Sequence, residues 1–97
     1  MSLSDVVASL HGGSPRWLET APVRLEGSMG LVWEGDVEVF ALDDHAQADR
    51  AFAWEEPPET EGGKARVFAV LAVPPVVTAE DAVRASIVQR VRETRRN

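Results

Sequence analysis

Residues Val67 to Val73 are apolar without a break, and Pro74-Pro75 closes the run. In an extended chain, successive side chains point to opposite sides. Val67, Ala69, Leu71 and Val73 therefore form one face, and Phe68, Val70 and Ala72 the other. A strand apolar on both faces needs cover on both, so it belongs in the middle of a sheet or beneath other elements. Proline cannot donate to a strand ladder, which ends this strand, Lys64–Val73, at Pro74. Even with its prolines, the apolar stretch from Val67 to Val77 is eleven residues long. That is far below the roughly 20 a spanning helix requires.

Two further strands precede it. From Leu31 to Leu42, Leu31, Trp33, Val37, Val39 and Ala41 share one parity, and Glu34, Asp36 and Glu38 the other. This is the alternation of a half-buried strand. Gly35 marks either a bulge or a hairpin turn with Asp36, and the unbroken apolar parity favours a single strand. Asp43-Asp44-His45-Ala46 reads as a turn. A second strand covers about Ala48–Glu55, with Phe52 and Trp54 on one face, and an acidic Pro-rich loop follows from Glu56 to Gly63.

Helices are expected at the two ends. Thr78-Ala-Glu-Asp81 is a capping-box variant, and Ala79, Ala82, Val83, Ile87 and Val91 recur at spacings of three and four. The C-terminal helix should run from about 79 to 94. Ser2 or Ser4 caps a weak N-terminal helix carrying Leu3, Val6, Val7 and Leu10, which His11-Gly12-Gly13 stops. Pro15 suits the first position of another helical turn with Trp17 and Leu18, ended by Pro22. The expected fold is α+β: a three-stranded antiparallel sheet over 31–73, with both helices on one face. One domain spans 1–97, with 1–22 as its N-terminal helical segment and 79–97 as a C-terminal helix with a basic end.

Charge divides the chain. Residues 84–97 hold five arginines against one glutamate, a net +4. The first 83 residues carry five basic and fifteen acidic side chains, a net −10. An acidic body argues against binding to nucleic acid or anionic membrane. Arginines near a helix C-terminus, here Arg84, Arg92 and Arg95, complement the helix dipole, and they also offer a small anion-binding arm. The absence of cysteine removes disulfides and thiolate chemistry and fits a reducing, cytoplasmic location. Nine arginines to one lysine suit a GC-rich bacterial genome.

The runs Trp33-Glu34-Gly35-Asp36-Val37-Glu38-Val39-Phe40, Ala51-Phe52-Ala53-Trp54 and Ala69-Val70-Leu71-Ala72-Val73-Pro74-Pro75-Val76, with Ala82-Val83-Arg84-Ala85, resemble a small bacterial family without an assigned activity. The likeness would cover residues 31–88 and implies the strand order but no chemistry. The α-β-β-β-α order is also similar to that of double-stranded-RNA-binding domains. Those place lysines at the start of the final helix, where this chain has Glu80 and Asp81.

Chemistry has few footholds. Asp43, Asp44 and His45 are the one place where histidine sits among carboxylates, as an acid/base pair or metal donors would. Neighbours in an extended chain point apart, however, so a plain turn explains them as well. His11-Gly12-Gly13-Ser14 lacks the lysine and spacing of a P-loop. Ser9, Ser14, Ser28 and Ser86 lack an elbow motif. No catalytic residue, metal ligand or cofactor site is assigned.

The remaining candidates are surfaces. If one set of aromatics faces the helices, Phe40, Phe68 and Val70 lie on an open sheet face that a protein partner or a second copy would cover. Glu34, Asp36 and Glu38 form an acidic face suited to a basic partner, or simply to solubility. The expected function is a non-enzymatic interaction or regulatory domain. A small enzyme or ligand-binding domain using His45 is the alternative, and an association with nucleic acid through the C-terminal arginines comes third.

Overall fold

A computed structural model describes residues 2–58 and 60–95, the last five of these by backbone alone. The order is α1 (Leu3–His11), β1 (Pro15–Gly27), β2 (Gly30–Leu42), β3 (Arg50–Glu56), β4 (Arg66–Leu71) and α2 (Ala79–Arg95). The strands form one antiparallel meander in the order β1-β2-β3-β4. No helix among the described residues is long and apolar enough to cross a membrane.

The sheet has four strands, not three. The segment from Pro15, expected to be helical, is the long strand β1, paired with β2 along its whole length. Its two prolines are compatible with this because β1 is an edge strand, where a missing N–H need not break the ladder. The parity Ala21, Val23, Leu25 then sets its buried side. Two register shifts, between Trp17 and Glu19 and between Leu25 and Glu26, disguise that parity in the sequence. Gly35 lies in regular pairing with Val23, so β2 is a single strand there. A Cβ at Gly35 would sit 3.0 Å from the Trp33 indole, which lies against that spot.

The helices cover opposite faces of the sheet, correcting the expectation of one shared face. α2 places Ala79, Ala82 and Val83 on Val23, Leu25, Val37, Val39, Phe52 and Trp54. Across the sheet, Val7 of α1 packs with Phe40, Leu42, Ala51 and Ala53. β3 explains the division: Phe52 and Trp54 point one way, Ala51 and Ala53 the other, and all four are buried. One helix cannot cover both sides.

Each helix starts as the sequence suggests. The Asp5 N–H donates to Ser2 Oγ and the Ser2 N–H to the Asp5 carboxylate, a reciprocal cap. Gly12 ends α1 at φ 80°, a left-handed conformation that glycine adopts without strain. Thr78 Oγ1 accepts the Asp81 N–H, while the Asp81 carboxylate accepts the N–H groups of Val77 and Thr78. Those two backbone bonds hold the Asp81 carboxyl below its ordinary value.

Candidate interaction surface

The acid/base candidates are brought together as structural ties. Asp43 forms an exposed pair with Arg16 (3.2 Å). Asp44 Oδ1 accepts the Ser14 N–H at 3.0 Å. His45 Nδ1 accepts the N–H groups of Gln47 and Ala48, which places the ring proton on Nε2. That nitrogen donates to the His11 carbonyl at 3.0 Å. Among the described residues no carboxylate bonds His45. The cluster anchors the end of α1 and the start of β1 to the β2–β3 turn. Among the described residues no three His, Asp or Glu side chains converge as metal ligands.

The acidic row of β2 is largely engaged within the hairpin. Glu34 takes Arg24 at 2.8 Å, and Glu38 Oε1 accepts from Trp17 Nε1 (2.8 Å) and Thr20 Oγ1 (2.6 Å). Asp36 is exposed, opposite Pro22. Arg84 pairs with Glu80 along α2. Arg92 and Arg95 lie on the backbone of α2, with side chains outside the described residues.

Phe40, expected on an open face, is 4% exposed beneath α1 and belongs to the core. α1 covers the sheet at Phe40, so Phe40, Phe68 and Val70 do not form one open face. Phe68 and Val70 are different: they are half-buried on β4, at the edge of the sheet. Phe68 stacks on Trp54 (5.4 Å between ring centroids, 16° between planes), and the Arg90 guanidinium lies 4.7 Å above its ring.

Arg90 belongs to a network that sequence reasoning missed. The Glu56 carboxylate, 9% exposed, accepts from Trp54 Nε1 (2.8 Å), Trp33 Nε1 (3.2 Å) and both terminal nitrogens of Arg90 (3.0 and 3.1 Å). Arg90 also donates to Ser86 Oγ, whose own O–H donates to the Val83 carbonyl. Burial alone pushes the Glu56 carboxyl up. The Trp54 bond, the Arg90 bond and charge, and the Trp33 bond together outweigh burial and hold it below the ordinary 4.5. Two signals pointed here: Trp54 and Glu56 lie two apart on β3, and Ser86 and Arg90 lie four apart on α2. The acidic loop that follows drew Glu56 into itself.

Between β4 and α2 runs a cleft of about 220 Å³. Phe68 and Val70 form its floor, and Ala85, Ser86, Gln89 and Arg90 its wall. Beside it lies the outer edge of β4. The bond from the Ala72 N–H to the Arg50 carbonyl sets the ladder parity. Residues 66, 68 and 70 therefore turn their backbone groups to β3, and Val67, Ala69 and Leu71 turn theirs outward. His11 Nε2 reaches the outward Ala69 carbonyl at 2.8 Å, and the Leu71 carbonyl accepts from the Val73 N–H. No described residue accepts from the N–H of Val67, Ala69 or Leu71.

The two edges of the sheet differ in kind. β1 carries Pro15 and Pro22, the charges Arg16, Glu19, Arg24 and Glu26, and a bulge, all devices that deter edge pairing. β4 has neither proline nor charge from Val67 to Leu71. A second apolar opening lies at the hairpin tip, between Val32 of β2 and Ile87 and Val88 of α2. The next turn of α2 there has side chains outside the described residues. No known protein family, curated protein or solved structure matches the chain.

Proposed function

We propose that the protein is a non-enzymatic protein-interaction domain whose contact element is the outer edge of β4 with the adjoining α2 cleft. One observation carries this reading: the same sheet guards its β1 edge with prolines, charges and register irregularities, while β4 carries none of these from Val67 to Leu71. An apolar edge with outward N–H groups is a template for pairing with another strand. Strand addition supplies that pairing. Main-chain bonds to the outward N–H groups give affinity, and a side chain in the neighbouring cleft gives selectivity. The cleft is flanked by Arg90 and Gln89, so a mixed apolar and polar side chain suits it.

The test compares the proteins retained by the wild type with those retained by Val67→Pro. Residue 67 turns its N–H outward, so proline there leaves the β3–β4 ladder intact while removing a donor from the edge. Partners held by the wild type should be lost from the variant. Retention of the same set by both would refute the β4 edge as the contact.

A further inference from the structure

We propose that the strand completing the β4 edge is β4 of a second copy of this chain, antiparallel across a twofold axis at Ala69. The proposal rests on the reading of β4 as the contact element and adds its occupant. Two observations select a second copy.

The first is that β4 is apolar on both faces yet half-exposed on both: Phe68 and Val70 belong to the α2 side, Ala69 and Leu71 to the α1 side. An added strand must therefore be apolar on both faces too, and the described chain offers one such edge, β4 itself. The second is geometric. A twofold axis normal to the sheet sets Ala69 opposite its counterpart and Val67 opposite Leu71, so the outward N–H groups meet outward carbonyls. The Ala69 and Leu71 carbonyls each have a second lone pair beside the one used by His11 or by the Val73 N–H. The two α2 clefts then face each other and close into one interior, walled by Ala85 and Gln89 from each copy.

Charge does not select the partner: Lys64 and Arg66 enter β4, and the exposed Asp49 and Arg50 share a hollow with Ala72 and Pro74 at its far end, so apolar pairing carries the contact. A six-residue strand with one shared cleft is smaller than the roughly 800 Å² per partner of a standard interface. The contact is therefore a small one, to be measured up to high micromolar concentration.

Sedimentation equilibrium of the wild type should show a concentration-dependent dimer, and Val67→Pro a monomer with unchanged far-UV circular dichroism. Val67→Lys, which keeps the N–H and adds an edge charge, should also be monomeric, and it serves if the proline variant fails to fold. The chain has no cysteine, so introduced ones report position. Opposed hydrogen-bonded residues have Cα atoms about 5.5 Å apart, which a disulfide spans. Ala69→Cys should oxidise to a covalent dimer and Val67→Cys should not.

A wild type that stays monomeric at high micromolar concentration overturns the second copy. If that monomer still retains other proteins in a Val67→Pro-sensitive way, the interaction reading survives; if it does not, both fall. A dimer that persists in both Val67 variants places the self-contact elsewhere and overturns the second copy at β4, and the retained-protein comparison alone then decides the interaction reading.

Discussion

Glu56 shows how a single side chain ties three elements together. It ends β3, bonds an indole from β2 and one from its own strand, and receives α2 through Arg90. The partners leave no polar side-chain atom buried without a bond among the described residues. Removing the charge takes the carboxylate from a guanidinium that Ser86 still holds over Phe68. Glu56→Gln keeps one acceptor for the indoles and should cost about 1–3 kcal/mol in urea unfolding. The carboxyl is held below its ordinary value in the folded state, so its contribution is complete above the unfolded pKa. It falls away as pH drops through the folded one, which lies below 4.5. Wild-type stability should therefore decline below about pH 4.5 more steeply than that of Glu56→Gln. Parallel pH profiles for the two would remove Glu56 as the cause. At His45 the sequence showed a histidine among acids, and the fold uses each of them on a different backbone or arginine partner. Residue types were legible there; their directions were set by the turn.

At the scale of elements, what could be read was whatever carries its signal locally. The α2 cap is written in Thr78 and Asp81, and β2 in the parity from Trp33 to Val39. β1 was illegible because its prolines are acceptable only at an edge, and edge position is a property of the sheet. Periodicity likewise names the buried side of α2 from Ala79 to Ile87 and of α1 only in part, since Leu10 is 62% exposed, but not the face of the sheet each helix chooses. The all-apolar pattern of β4 correctly demanded cover on two faces, and the structure supplies it only in half. Two changes test element anchoring. Thr78→Ala removes the acceptor for the Asp81 N–H and should lower stability by about 1 kcal/mol, read as a shift in the urea midpoint at unchanged slope. His45→Ala releases the His11 carbonyl and two backbone N–H groups together, at a cost of about 1–3 kcal/mol. Its signature should be local: amide exchange quickening at the C-terminal end of α1 while β2 and β3 keep their protection. Uniform quickening would show that the turn supports the whole fold instead.

For the whole molecule, charge and apolar pairing pull in opposite directions, and magnitudes decide between them. The chain carries −6 and measures 39 × 31 × 28 Å, so two copies joined edge to edge have centres about 30 Å apart. Treated as point charges in water, they repel by about 5 kcal/mol before screening. A Debye length of about 30 Å at 0.01 M salt leaves roughly 2 kcal/mol of this, and at 1 M essentially none remains. Self-association through β4 should therefore strengthen on going from low to high salt, by about 2 kcal/mol or roughly thirty-fold in the dissociation constant. A basic partner on the Glu34–Glu38 face would show the reverse, because its binding comes from the charges that salt screens. Titrating salt against the sedimentation equilibrium separates the two: tightening marks an apolar edge joined despite its charge, and loosening marks a contact made by charge.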